Sequence, residues 1–355
     1  MQQVIYPCIG CELHGYRGPN KILMKRLLPF LILSFPVILF LMEGCHPKQA
    51  PPPVEKPVVT VAVPSFNADT AYYFIQRQMD FGPRVPNTEA HDRCEAYLSS
   101  TLKGYTPNVI IQRGKVRAYN GTVLNMENIM ASFNPDMKTR IFLAAHWDSR
   151  PFADHDPDPA RRMLPVPAAN DGASGVGVLL EVARQLNRQS PPVGVDIVLL
   201  DVEDYGPPED ERSQDSDEEW GLGAQYWAGN PHVPGYRARY GILLDMVGAA
   251  DARFPEEYFS NYYAPDIVNK VWTIARDLGY QHYFVTDEGA MINDDHYFIN
   301  TIMHVPTIDI IDLRPTSSNG TFFEQWHTTH DDMSIIDKST LKVVGQVVLT
   351  VIYRE

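Results

Sequence analysis

Cysteine is scarce in this chain, and the scarcity excludes a whole class of architecture. Four of its 355 residues are cysteine, and of these only Cys94 lies where hydrophobic patterning can build a core. A disulfide inside the folded body is therefore excluded, and stability has to come from packed apolar surface. The 44% hydrophobic content is ample for that. Positive charge is in deficit as well: 30 Lys and Arg face 44 Asp and Glu, for a net charge of −14. A phosphate backbone is recognised by basic patches, so nucleic acid is excluded as a partner. There is no internal repeat and no second linker, so the body reads as one domain.

Part of the acidity is local. Residues 209–219 carry seven acids against one Arg, which reads as a solvated loop. A calcium-binding loop is the alternative, but the spacing does not match the helix–loop–helix pattern.

The N-terminus reads as an address. Met24-Lys25-Arg26 begins a basic segment, Leu27 to Met42 is a nearly unbroken apolar run, and Gly44-Cys45 follows. This is the layout of a secretory signal. The Cys after Gly44 makes it resemble a bacterial lipoprotein signal, although Met42 and Glu43 match the usual lipobox poorly. The alternative is a retained transmembrane anchor, for which the run is short and is interrupted by Pro36. The expected layout is an untranslated or disordered segment at 1–23, a lipoprotein signal at 24–45, a Pro-rich tether at 46–65 and a catalytic domain at 66–355. The tether holds Pro51-Pro52-Pro53, a composition that stays extended. The expected location is the cell envelope, on the periplasmic side of a bacterial membrane, with the lipid on Cys45 as the anchor.

Along the body, helical and strand patterns alternate. Apolar residues at three- and four-residue spacing predict helices over 67–79, 88–102, 174–187, 223–228, 266–278 and 339–353. Apolar runs predict strands over 109–112, 123–132, 139–145, 196–201, 240–246 and 307–311. The expected fold class is α/β: a single domain with a mostly parallel central sheet and helices on both faces.

The stretch from Ile141 to Gly177 organises the rest. Ile141-Phe142-Leu143-Ala144-Ala145 has the composition of a buried central strand, and it stops at His146-Trp147-Asp148. Ligands bind outside the carboxyl ends of strands in such sheets. Asp171 sits at a loop-to-helix junction, where its carboxylate could be a simple cap. Three more strands also end in acids or histidines: one runs into Asp201, Glu203 and Asp204, one reaches Asp245, and the last leads to His327, His330, Asp331 and Asp332. Charges seldom sit at buried strand ends unless paired or bound to metal. His with carboxylates is the ligand set of a hydrolytic or Lewis-acid zinc. Adjacent Glu203 and Asp204 point in different directions, so one can bind metal while the other handles protons.

The motifs HWDS, NDGASG, VED, LLDMVGA, DDH and WHT, in that order, resemble the zinc exopeptidase fold of dinuclear-zinc aminopeptidases. Within it they look most like the glutaminyl cyclases of bacterial type. The resemblance implies a zinc held by Asp171, Asp204 and His327, with one ion per chain. It implies Glu203 as the proton shuttle, Asp245 and Asp294 as its hydrogen-bonded partners, and Trp326 and Trp220 as substrate-binding aromatics. His146 with Asp245 would be the second-metal position, filled in aminopeptidases and unused in cyclases. The implied substrates are peptides or proteins with N-terminal Gln, acted on by a monomer. Two departures stand out. Asp204 occupies a place where Glu is usual, and Ala145 and Val176 replace the Cys pair of animal cyclases. The alternatives are a two-zinc aminopeptidase and a non-catalytic binding module on the same fold. His296, His304 and His330 are read as structural.

Overall fold

The computed structural model describes residues 62–213 and 216–355. The expected signal, Cys45 and most of the expected tether lie outside them. Two helices open the described chain, α1 (Ala68–Met79) and α2 (Glu89–Lys103), followed by a hairpin of β1 (Val109–Arg117) and β2 (Val123–Phe133). Next come β3 (Arg140–His146), α3 (Ala173–Arg188), β4 (Gly194–Leu200), α4 (Leu222–Gly229) and β5 (Gly241–Asp245). The remainder is β6 (Phe254–Glu256), α5 (Tyr258–Tyr263), α6 (Pro265–Asp277), β7 (Phe284–Glu288), α7 (Asp295–Phe298), β8 (Thr307–Ile311) and α8 (Lys338–Tyr353).

Six strands form the main sheet in the order β1-β2-β4-β3-β5-β8. β4, β3, β5 and β8 run parallel, while β1 and β2 add antiparallel at one edge. Every residue of β4, β5 and β8 is buried, as is all of β3 after Arg140. That is why these strands read as continuous apolar runs rather than as alternation. Successive side chains still point to opposite faces. Ile141, Leu143 and Ala145 join the large core shared with α1, α3, α6 and α8. Phe142 and Ala144 face the smaller core of Trp227 and Phe298, where Phe142 meets Trp227 edge-on with ring centroids 5.3 Å apart.

Acids also lie inside strands rather than at their ends, among them Asp309 of β8 and Asp196 of β4. Asp196 of β4 accepts hydrogen bonds from Ser132 Oγ at 2.6 Å, Arg140 Nε at 2.6 Å and Tyr236 OH at 2.8 Å. With its charge matched and its oxygens filled, it is a core element far from the strand ends that carry the site.

Several elements escape the sequence patterns. β1 continues to Arg117 because Gly114 to Arg117 pair with Met126 to Val123. β6 and β7 form a separate two-stranded parallel sheet, although β6 contains Pro255 and β7 ends in exposed polar residues. Their pairing is a tertiary event that local propensity does not encode. The four-residue α7 and the π-helical turn Ile299–Met303 after it are likewise too short to show periodicity.

Candidate metal centre

The four parallel strands deliver their carboxyl ends to one edge of the sheet, and the candidate residues gather there. His146 is the last residue of β3, and Asp245 is the last of β5. Glu203 and Asp204 follow β4 by three and four residues, and His327 comes from the loop after β8. Asp171 precedes α3. Gly172 caps that helix and no side chain makes a capping bond there, so the Asp171 carboxylate is not spent as a cap. Gly172 adopts φ +88°, and a Cβ there would come within 2.8 Å of the His146 ring. The glycine thus lets the loop press Asp171 against His146.

Asp171 stands between two histidines. Its Oδ1 lies 3.0 Å from His146 Nε2, and its Oδ2 lies 3.6 Å from His327 Nε2. Asp245 Oδ1 is 3.3 Å from His146 Nε2, and Asp204 Oδ1 is 3.3 Å from His327 Nε2. Two buried ligand sets therefore share one aspartate: Asp171, Asp204 and His327, and His146, Asp171 and Asp245. Each offers one imidazole nitrogen and two carboxylate oxygens, the donor chemistry of a catalytic zinc. Asp204 Oδ2 and Asp245 Oδ1 are buried without a hydrogen-bond partner, which fits oxygens reserved for a cation. The residues present fit zinc, and the shorter Asp204 does reach the other ligands.

A ring of outer groups fixes these side chains. Asp148 accepts the backbone N–H groups of Glu203 at 3.1 Å and Asp204 at 3.2 Å, and lies 3.4 Å from His146 Nδ1. Asp331 accepts the N–H groups of Asn170 and Asp171 at 2.8 and 3.0 Å. Arg150, only 1% exposed, donates two bonds of 2.8 Å to Asp154 and one of 3.2 Å to Asp204 Oδ1. Asp154 in turn lies 3.6 Å from His327 Nδ1. Such partners set the orientation and basicity of metal-binding histidines. Sequence reasoning assigned no role to Asp148, Arg150, Asp154 or Asp331. Their proximity to HWDS and WHT was the available signal.

The electrostatics follow from crowding acids in a dry place. Burial, reinforced by Asp204, Asp294 and Asp295, holds the Glu203 carboxyl well above its ordinary range despite nearby His146. Burial pushes Asp245 up to about 8, with Asp171 and Asp294 adding to it. Asp294 is also raised, first by burial. His146 rises well above the ordinary imidazole value: burial opposes this, but Asp148, Asp171 and Asp245 outweigh it. A bound dication would draw these carboxylates back toward the ionised form.

Backbone strain concentrates at the same edge. Ala168, Val202, Met246 and His327 adopt φ values of +62°, +56°, +52° and +54°, each within three residues of a member of the ligand sets or itself a member. Such conformations cost about 1–3 kcal/mol apiece and persist only where surroundings enforce them.

Above the ligands lies a cavity of about 220 Å³ bounded by Glu203, Asp294, Trp220, Phe322 and Trp326. Trp326 stacks on His327 with centroids 3.6 Å apart, and Trp220 lies parallel to the same imidazole at 6.3 Å. Of the residues the sequence offered for the site, Asp171, Glu203, Asp204, Trp220, Asp245, Asp294, Trp326 and His327 line this cavity, and His146 stands against Asp171 and Asp245. His296 instead pairs with Glu257 at 3.0 Å in the interior, His304 lies 3.3 Å from the Asn300 carbonyl oxygen, and His330 lies 3.3 Å from Arg161 at the surface.

Comparison with known proteins gives the same picture. The model of peptidase family M28 matches residues 128–352. A glutaminyl cyclase from Bacteroides thetaiotaomicron is 50% identical, with a TM-score of 0.81, covering 83% of this chain and all of that one. A structure described as a leucine aminopeptidase precursor from the same species is also 50% identical, with a TM-score of 0.80, covering 83% and 99%. The glutaminyl-peptide cyclotransferase of Drosophila melanogaster is 26% identical over 283 residues, 73% of each chain.

Proposed function

The chain belongs to peptidase family M28, and from that premise we propose that it converts the N-terminal Gln of peptides or proteins to pyroglutamate, releasing ammonia. The observation that carries the reading is the pocket itself. A cavity of about 220 Å³, walled by Trp220 and Trp326, has room for little beyond one terminal residue. On its floor burial, reinforced by Asp204, Asp294 and Asp295, holds the Glu203 carboxyl well above its ordinary range. The likeness to the Bacteroides cyclase over that protein's full length supports it.

In this reading Asp171, Asp204 and His327 hold one zinc, which when bound supplies a Lewis acid toward the side-chain carbonyl. The α-amine of Gln attacks its own side-chain carbonyl carbon, so correct orientation in the pocket removes much of the barrier. Glu203 takes a proton from the amine and returns it to the departing ammonia, acting as base and then acid. Burial raises its proton affinity, and Asp204, Asp294 and Asp295 add to this by like-charge pressure. Trp326 and Trp220 flank the substrate and keep out the water that would hydrolyse it. His146 serves as a neighbour of Asp171 rather than a ligand.

A second reading is favoured by one observation: the His146, Asp171 and Asp245 set is complete, as a two-zinc aminopeptidase requires. Two measurements separate them. The cyclase converts a Gln-initiated peptide with loss of ammonia, leaves a Leu-initiated peptide intact and carries one zinc per chain. Release of free leucine by a protein with two zinc ions would replace the cyclase reading. A chain without zinc or either activity would be a binding module.

We further place the protein as an envelope lipoprotein acylated at Cys45, on the strength of the basic start and apolar run before Gly44-Cys45. Among the described residues no helix is long and apolar enough to cross a membrane. Cys45→Ser should move the protein to the soluble fraction; continued membrane retention would favour an uncleaved anchor helix.

A further inference from the structure

Behind the strand ends that carry the site lies a buried pair that the proposed chemistry does not use. His91, in the first turn of α2, is 1% exposed, and its Nε2 lies 2.8 Å from Oδ1 of the fully buried Asp201. Thr88, the cap of α2, accepts the His91 backbone N–H at 3.3 Å and so fixes where the ring enters.

Asp201 immediately follows β4 and stands two residues before Glu203 and three before Asp204. Its Oδ2 accepts the backbone N–H of Glu127 at 2.7 Å, and its Oδ1 also accepts that of Val202 at 2.9 Å. Val202 is buried and holds φ +56°. For a β-branched residue this is a costly conformation with no local preference behind it. Yet the turn at Val202 is what sends Glu203 and Asp204 to different partners.

The flat side of the same imidazole touches the neighbouring strand end. It stacks on Trp147 with centroids 4.2 Å apart and planes 24° from parallel. Trp147 lies between His146 and Asp148, and Asp148 is the carboxylate that accepts the Glu203 and Asp204 N–H groups. One ring from a helix outside the site therefore braces the ends of both β3 and β4.

We infer that His91 is a positioning residue: acting through Asp201 and Trp147, it holds the strained Val202 turn that aims Glu203 into the pocket and Asp204 at the metal. The inference rests on the reading of Glu203 as proton carrier and Asp204 as ligand. The competing account is that His91 only neutralises a buried carboxylate.

The test uses the full-length protein and four variants, each measured for kcat, KM and zinc affinity by competition with a chelator. His91→Phe keeps a ring against Trp147 but removes the bond to Asp201. His91→Gln restores a donor without the ring. Asp201→Asn removes the charge, and the double variant His91→Phe with Asp201→Asn leaves no unpaired buried carboxylate.

Groups that orient metal ligands typically govern 10–100-fold in affinity or activity. His91→Phe and the double variant should therefore lose kcat and zinc affinity by about that factor, with KM within a few-fold, and His91→Gln should recover most of the loss. Wild-type kcat and zinc affinity in the folded double variant would overturn the inference, because only charge neutralisation would then be needed. If the wild type makes no pyroglutamate, the cyclase reading fails separately, and zinc affinity across the same variants still decides the role of His91.

Discussion

Glu203 and Asp204 are consecutive in the chain but serve different surroundings. Asp204 meets Arg150 and His327, whereas Glu203 stands among Asp294, Asp295 and His146. Glu203→Gln should keep its zinc and bind substrate while losing about 10²–10⁴-fold in rate, the usual share of positioned proton transfer. Single-turnover ammonia release alongside zinc analysis checks this. His146→Ala should cost far less if only one ion is used; a loss matching that of Glu203→Gln together with departure of a zinc would instead mark His146 as a ligand. Asp204→Ala should abolish zinc binding, because it removes a ligand and leaves Arg150 without one of its two carboxylates. Asp204→Glu should retain part of it. Full zinc content in the Ala variant would take Asp204 out of the ligand set.

At the level of elements, the closeness of α3 to the sheet places Asp171. A Cβ at Gly175 would lie 2.3 Å from the Leu244 carbonyl oxygen of β5, a distance that no side-chain rearrangement relieves. Gly175→Ala must therefore push the first turn of α3 away from the strand end that carries Asp245. Overpacking of this kind costs about 1–3 kcal/mol, and urea denaturation should show a loss of that size. Zinc affinity should fall with it, since Asp171 moves with the helix start. A variant with unchanged stability but weakened zinc binding would mean that the loop absorbs the shift.

For the whole molecule, two buried groups report on the folded state. Cys94 is fully buried, and burial pushes its thiol up to about 12. It should resist alkylation at pH 8 in the native protein and react only on unfolding, as peptide mapping of labelled chains would show. Glu257 is buried, which would raise its carboxyl, but His296 and the N–H groups of Phe259 and Ser260 hold it at about 2. Its folded value lies below the unfolded value of about 4.3. The stability it contributes is therefore present above about pH 4.3 and lost as the pH falls toward 2. On that basis the stability difference between wild type and Glu257→Gln should shrink across this window, by up to about 3 kcal/mol at 1.36 kcal/mol per pH unit. A difference independent of pH would mean that the carboxylate is not held ionised.

The α/β class, the parallel strands and the principal ligand candidates were legible in the sequence because buried parallel strands write themselves as apolar runs, and their ends are conspicuous when they stop at His146 or Asp245 or run on into Glu203 and Asp204. The ordered motifs added zinc and the reaction class by resemblance. Other features belong to tertiary structure alone. The order β1-β2-β4-β3-β5-β8 depends on which edges pair, and the β6–β7 sheet depends on contact between segments about thirty residues apart. Asp331 at the Asp171 backbone, Arg150 between Asp154 and Asp204, and His91 behind Asp201 act across 160, 54 and 110 residues of chain. Apolar periodicity is a local pattern set by burial, so one sequence displays it. The aim of a carboxylate is set by hydrogen bonds from residues distant in the chain, so only the folded structure decides it.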